Sequence, residues 1–218
     1  MVAKGVFTTA NLTSYCSVGD VLALLEGYDL SDWGDEDALV TRASELLSPT
    51  KAAIDSAAGR DFMLHPDETV LMDGTGDRVL LLAPLGLVPV ASVSSVKIGS
   101  VTLPAEDWLV YAEEAAIVLA TSSRLVSKFP AGHQNIEVNL DWGHENTPAD
   151  IVMAQAKLVA AELLAVASGE SGAVEAVSLG DYSVRYADTG RFAYSVQRLV
   201  HEAAEAVARH RRLDFCTV

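Results

Sequence analysis

The segment that most constrains this chain is Leu140-Asp141-Trp142-Gly143-His144-Glu145-Asn146-Thr147-Pro148-Ala149-Asp150-Ile151, with the run that follows it to about Ala167. From Ile151 to Ala167 apolar residues fall on every side of a helical wheel, interrupted mainly by Gln155, Lys157 and Glu162. An amphipathic surface helix shows one apolar stripe, whereas a helix apolar all round is buried on several sides. The run is a poor membrane span. It is rich in Ala rather than Leu, and a Lys and a Glu near the centre would each cost about 2.5–3.5 kcal/mol there. Its start is sharp: the Thr147 hydroxyl suits a cap, Pro148 the first helical position, and Asp150 puts a carboxylate in the first turn. The prediction is a central helix packed by other helices, by a neighbouring subunit, or by both.

Before this junction the periodicity is that of short strands, back to about Thr69. Thr69–Met72 and Arg78–Leu82 flank Asp73-Gly74-Thr75-Gly76, a hairpin or tight-loop signal. Val90–Ile98 turns back at Gly99-Ser100 into Val101–Leu103. Trp108–Tyr111, Ile117–Leu119 and Asn135–Trp142 complete a small antiparallel sheet with one face expected to be buried. Upstream, an arm to Tyr15 leads into a short helix capped by Ser17 with Asp20 three residues on, and Gly27 ends it. A second helix starts near Asp35 and stops at Gly59, with Pro49 expected to break, kink or restart it. After the central helix, Val177–Tyr186 is extended. A last helix runs from about Ser195 to Arg212, where Arg209, His210, Arg211 and Arg212 complement the helix dipole.

Chemistry is sparse. The net charge of −15 opposes a surface that grips nucleic acid by neutralising phosphates, but it suits a wall that DNA slides past. Cys16 and Cys216, near opposite ends, form neither a disulfide framework nor a zinc spacing. Met1 to Ala10 holds one lysine and no long apolar run, so no signal peptide is expected. Gly74-Thr75-Gly76 lacks the third glycine and following helix of a dinucleotide loop. His201-Glu202 opens like a zinc-protease helix, but Glu205 stands where the second histidine belongs. Gly169-Glu170-Ser171-Gly172 has Ala173 where a nucleophile elbow needs glycine. His65, His133 and His144 lie in loops or at strand edges without clustered partners, as solvated histidines do. No catalytic residue, cofactor site or metal site is predicted, and an enzyme would need a convergent set of titratable groups that the sequence does not offer.

The order of segments resembles the head-tail connector, or adaptor, proteins of long-tailed bacteriophages. Five places carry the resemblance: Tyr15-Cys16-Ser17-Val18-Gly19-Asp20-Val21; Ala53 to Phe62; Asp73-Gly74-Thr75-Gly76 with Val79–Leu82 and Val88–Val93; Val138–Gly143 with Thr147–Ile151; and Leu179-Gly180-Asp181-Tyr182-Ser183-Val184. The chain departs from the usual pattern at Trp142-Gly143-His144, where a Tyr-rich ending is expected, and in the acidic loop Asp29–Glu36. The resemblance implies an α+β protein: a helical bundle with a long buried central helix and an inserted small antiparallel β-sheet domain. The implied boundaries are 1–66 for the arm and first helices, 67–145 for the sheet, and 146–218 for the helices that complete the helical domain. It implies a homo-oligomeric ring of about twelve subunits set by the portal's cyclic symmetry, lying between the portal protein and the next neck or tail-completion protein. DNA would pass through the lumen without sequence-specific binding. The protein would reside in the virion neck after assembly in the host cytoplasm, with no membrane contact. Portal contact is expected at Arg209, Arg211, Arg212, Leu213 and Phe215, and contact between subunits at Leu179, Asp181, Tyr182, Val184 and Tyr186. A head-closure or tail-completion protein of the same neck is the alternative, though such proteins are usually shorter and richer in strand. A non-viral binding protein and a small acidic enzyme stand further off.

Overall fold

A computed structural model describes residues 14–30, 35–123, 125–168, 174–180, 182–187 and 191–211. The architecture is α+β, with four helices and antiparallel sheets among the described residues. The chain divides into two units, one of residues up to Asp61 and from Thr147 onward, the other of Phe62–Asn146.

In the helical unit, Ser17 and Asp20 form a reciprocal capping box at the start of α1 (Val18–Leu25), with the Asp20 amide donating to Ser17 Oγ and the Ser17 amide to Asp20 Oδ2 at 2.7 Å. Asp35 caps α2 (Glu36–Ala58), accepting from the Ala38 amide at 2.8 Å. Gly59 ends α2 in the left-handed conformation, φ 70°, its amide returning to the Asp55 carbonyl. Of the outcomes expected at Pro49, neither a break nor a restart occurs, since α2 runs on through it. Proline removes the amide that would bond the carbonyl of Glu45. Pro49 and Glu45 both lie on the exposed side of α2, so water can serve that carbonyl. On the buried side, Thr50 Oγ1 donates to the Leu46 carbonyl at 2.7 Å.

The long apolar helix is α3 (Ala149–Ala167). Pro148, not Thr147, occupies its cap position, and no side chain caps this end. The Pro148 carbonyl takes the amides of Ile151 and Val152 at 2.9 and 3.1 Å. Eleven α3 residues are buried, and α1, α2, the hairpin and α4 (Ala193–Arg209) of the same chain all pack on it. The expectation of burial on several sides is thus met within one chain, without a neighbour. The segment foreseen as one extended stretch is that hairpin: β8 (Val174–Leu179) and β9 (Tyr182–Ala187) pair in antiparallel register around Gly180.

The second unit holds two sheets rather than one. β1 (His65–Gly74), β7 (Gly132–Trp142), β3 (Val90–Ile98) and β4 (Val101–Thr102) form the larger, in the order β1-β7-β3-β4. β2 (Val79–Leu81), β6 (Ala116–Leu119) and β5 (Trp108–Tyr111) form the smaller, in the order β2-β6-β5. Met72, Leu80, Val96, Ile117, Phe129 and Val138 belong to one apolar core contributed by both. The predicted hairpin across Asp73–Gly76 is absent, because β1 pairs with β7 and β2 with β6. The turn instead carries the chain from one sheet to the other. It is held there by the Gly76 amide on the Phe129 carbonyl and the Phe129 amide on the Asp77 carbonyl. A Cβ on Gly74 would lie 1.9 Å from the Pro130 carbonyl oxygen, so the crossing needs glycine for space.

Candidate functional site

Two of the residues expected to contact partners, Leu179 and Arg211, meet in the helical unit. A groove of about 270 Å³ is lined by Ser56 and Ala57 of α2, Leu179 and Gly180 of the hairpin turn, Val207 of α4, and Arg211 just beyond it. Leu179 and Arg211, foreseen for different partners, therefore share one groove. Leu179 and Val184 are buried in their own unit, so their apolar surface is already used. Tyr182 is half-buried and donates its hydroxyl to Glu162 Oε1 at 2.8 Å. Burial, followed by the Glu162 charge, raises its phenol well above the ordinary value, which keeps the proton on oxygen. Tyr186 faces Glu175 in the ladder, and its side chain lies outside the described atoms. Asp181, Arg212, Leu213 and Phe215 lie outside the described residues.

The basic end of α4 is tied back to the start of α3. His210 Nε2 lies 2.8 Å from Asp150 Oδ2, and Arg209 reaches the same oxygen at 3.5 Å. The Arg60 guanidinium approaches His210 Nδ1 at 3.5 Å. Partial burial pushes the Asp150 carboxyl up, but the bond and charge of His210 and the bond from Arg209 outweigh it, and the net shift is downward. Asp150 also meets the positive end of the α3 dipole. The end of α4 is therefore fixed at Arg209 and His210.

Two polar groups that sequence reasoning passed over organise this unit. Gln155, fully buried in α3, accepts the amides of Tyr15 and Cys16 at 2.6 and 2.9 Å and donates to the Leu47 carbonyl at 2.6 Å. It thus joins the residues before α1 to the middle of α2. The second group is charged. Lys51 donates to Asp55 at 2.7 Å and Asp61 at 3.0 Å and sits over the Tyr15 ring, and the Tyr15 hydroxyl meets both carboxylates. Burial raises the Asp55 carboxyl despite Lys51 and Tyr15. This arrangement neutralises charge and locks the chain; it has the chemistry of an ion-paired staple. The only sequence signal was Gln155 itself, a polar residue on a helix with no polar face. Cys16 is a buried free thiol, pushed up to about 11 chiefly by burial.

The histidines differ from expectation in part. His133 is exposed and pairs with Asp73 at 2.9 Å. His65 instead stacks on Trp142, with ring centroids 4.0 Å apart, and His144 on Phe62, because each is half-buried beside an aromatic ring. Among the described residues no three His, Cys, Asp or Glu side chains converge to hold a metal, and no helix is long and apolar enough to cross a membrane.

The smaller sheet has two apolar faces where one was expected. Leu80 and Ile117 turn inward. On the other face Val79, Val118 and Leu109 form one row across the strands, and Leu81, Ala116 and Tyr111 the next. Leu81, Leu109 and Tyr111 are 52, 54 and 47% exposed. The signal was present in Val79-Leu80-Leu81-Leu82 and Trp108-Leu109-Val110-Tyr111, which are apolar without alternation, as strands covered on both faces are.

No family model matches this sequence, and no curated protein matches it. Among solved structures the chain is similar to one described as the neck of an empty GTA particle computed with C6 symmetry, GTA denoting a gene transfer agent. The two share 17% identity with a TM-score of 0.52, over 97% of this chain and 96% of the other. The likeness is one of fold. It extends over nearly the full length of both chains, so the helical unit and the sheet unit are both included.

Proposed function

We propose that this chain is a structural protein of the neck of a phage-like particle, a head-tail connector that forms a ring between the portal and the next neck or tail protein and extends the DNA channel. The observation that carries the reading is the fold likeness, end to end, to a protein from a particle neck of stated cyclic symmetry. The order of the five sequence segments supports it independently. The net charge of −15 is suited to a channel wall, since acidic groups repel the DNA backbone and let it slide. A ring of about twelve copies follows from matching a cyclic portal.

In this reading the segment after Arg211, with Arg212, Leu213 and Phe215, contacts the portal, and the Asp150 tie on Arg209 and His210 sets where that segment begins. Removing residues 212–218 should abolish portal binding and leave the unfolding midpoint unchanged; retained binding would place the contact elsewhere. The hairpin carrying Leu179, Asp181, Tyr182, Val184 and Tyr186 contacts the neighbouring subunit through its outward side, since Leu179 and Val184 serve the core. Replacing Tyr182 and Tyr186 by Ser should weaken ring assembly. Tyr182→Phe, which loses only the bond to Glu162, separates that effect from monomer stability.

The deciding experiment is copy-number mass spectrometry on purified particles. About a dozen copies per particle, as a closed ring requires, is the expected result. Absence from mature particles overturns the structural role.

A further inference from the structure

Among the described residues, nothing covers Val79, Leu81, Leu109 and Tyr111 on the outward face of the smaller sheet. Its two rows, Val79–Val118–Leu109 and Leu81–Ala116–Tyr111, are apolar throughout, while the opposite face of the same strands already supplies the core. A sheet apolar on both faces is the middle layer of three. Contiguous exposed apolar surface rimmed by polar groups marks an interaction site.

The rim gives the chemistry of the missing layer. At one end of the strands the turn between β5 and β6 exposes Glu113 and Glu114; at the other, Asp77 and Glu106 are exposed. Beside β2 the face runs into a cavity of about 560 Å³ walled by Met72, Leu81 and Pro84, with Asp73 and Asp77 at its polar side. Arg78 lies at the same mouth, with its guanidinium held by the Leu119 carbonyl at 2.7 Å. An apolar floor with carboxylates at both ends selects apolar side chains flanked by cations, and the cavity suits a long aliphatic stem ending in a charge. A second copy of this chain laid on it by the same face is a poor occupant, because it would set a matching acidic rim against this one.

We propose that this face is the docking site of a different protein, one that presents a short apolar segment flanked by lysine or arginine. The proposal concerns a surface of the sheet unit and stands whether or not the chain forms a ring.

The test uses the full chain and two synthetic peptides with the same Leu-Phe-Leu centre, one flanked by two lysines at each end and the other by two glutamates. Methyl NMR should show the lysine-flanked peptide shifting Val79, Leu81, Leu109 and Val118. The glutamate-flanked peptide should bind about tenfold more weakly or worse, and the difference should shrink at high salt. Leu81→Asp and Leu109→Asp, both at exposed positions, should each weaken lysine-peptide binding about tenfold or more with an unchanged thermal midpoint. Equal binding of the two peptides, or shifts confined to other methyl groups, overturns the proposal. Concentration-dependent shifts of these methyl groups without peptide, lost in Leu109→Asp, would assign the face to a second copy and overturn it equally.

Discussion

Gln155 illustrates how one side chain can organise several elements. It sits in the middle of an apolar helix, yet its amide serves the backbone of two other segments. Gln155→Leu keeps the volume and strands the Tyr15 and Cys16 amides, while the Leu47 carbonyl keeps the Thr50 hydroxyl. An unsatisfied buried group costs about 1–3 kcal/mol, so a total loss of about 2 kcal/mol or more is expected for the two amides, measured by urea denaturation; a loss below about 1 kcal/mol would mean that water replaces the side-chain amide. Gly143 sets a different constraint. Its φ is 94°, and a Cβ there would lie 1.8 Å from the Met63 carbonyl oxygen. The glycine in Trp142-Gly143-His144 was legible as a strand end, but its need for space was not. That need comes from Met63, eighty residues earlier in the chain, and no local pattern reports so distant a neighbour.

At the scale of the element, local chemistry was readable and pairing was not. Ser17 with Asp20, Asp35 and Gly59 marked helix ends because each cap is decided by residues within one turn. The turn at Asp73–Gly76 was also visible, but which strands it joins depends on Phe129 and Pro130 far along the chain, so a hairpin was expected where the chain changes sheets. Pro49 was overread for a related reason. A helix interior proline is costly in isolation, about 3 kcal/mol, but its cost falls where the lost bond faces water. Pro49→Ala should therefore raise stability by about 1–2 kcal/mol, since part of the propensity gain is offset by the greater freedom of the unfolded chain; an unchanged urea midpoint would count against this account. The tie between α3 and α4 is pH-dependent. Asp150 is held below its ordinary value of 3.8, so its stabilisation is present above about pH 4 and is lost as pH falls through the folded value. Asp150→Asn should cost less than about 1 kcal/mol near neutrality, given the partial exposure of the pair, and the difference from the unsubstituted protein should vanish near pH 2.

At the scale of the whole molecule, the change of period from helix to strand and back announced a sheet region between helices, and the division at Phe62 and Asn146 gives that region its own apolar core. The pattern did not show that the region holds two sheets, because the number of sheets depends on which edges pair. A fragment of residues 62–146 should fold alone, with dispersed amide signals and a cooperative thermal transition; a random-coil spectrum would show that it needs the helices. His65 pairs with Trp142, so the polypeptide enters and leaves the sheet through the two halves of one rung of a single ladder. To the helices, the 76 residues between are topologically a closed loop. Lengthening, shortening or exchanging them leaves the two attachment points where they were, so the cassette can be replaced to suit a new neighbour while the frame that carries it stays constant.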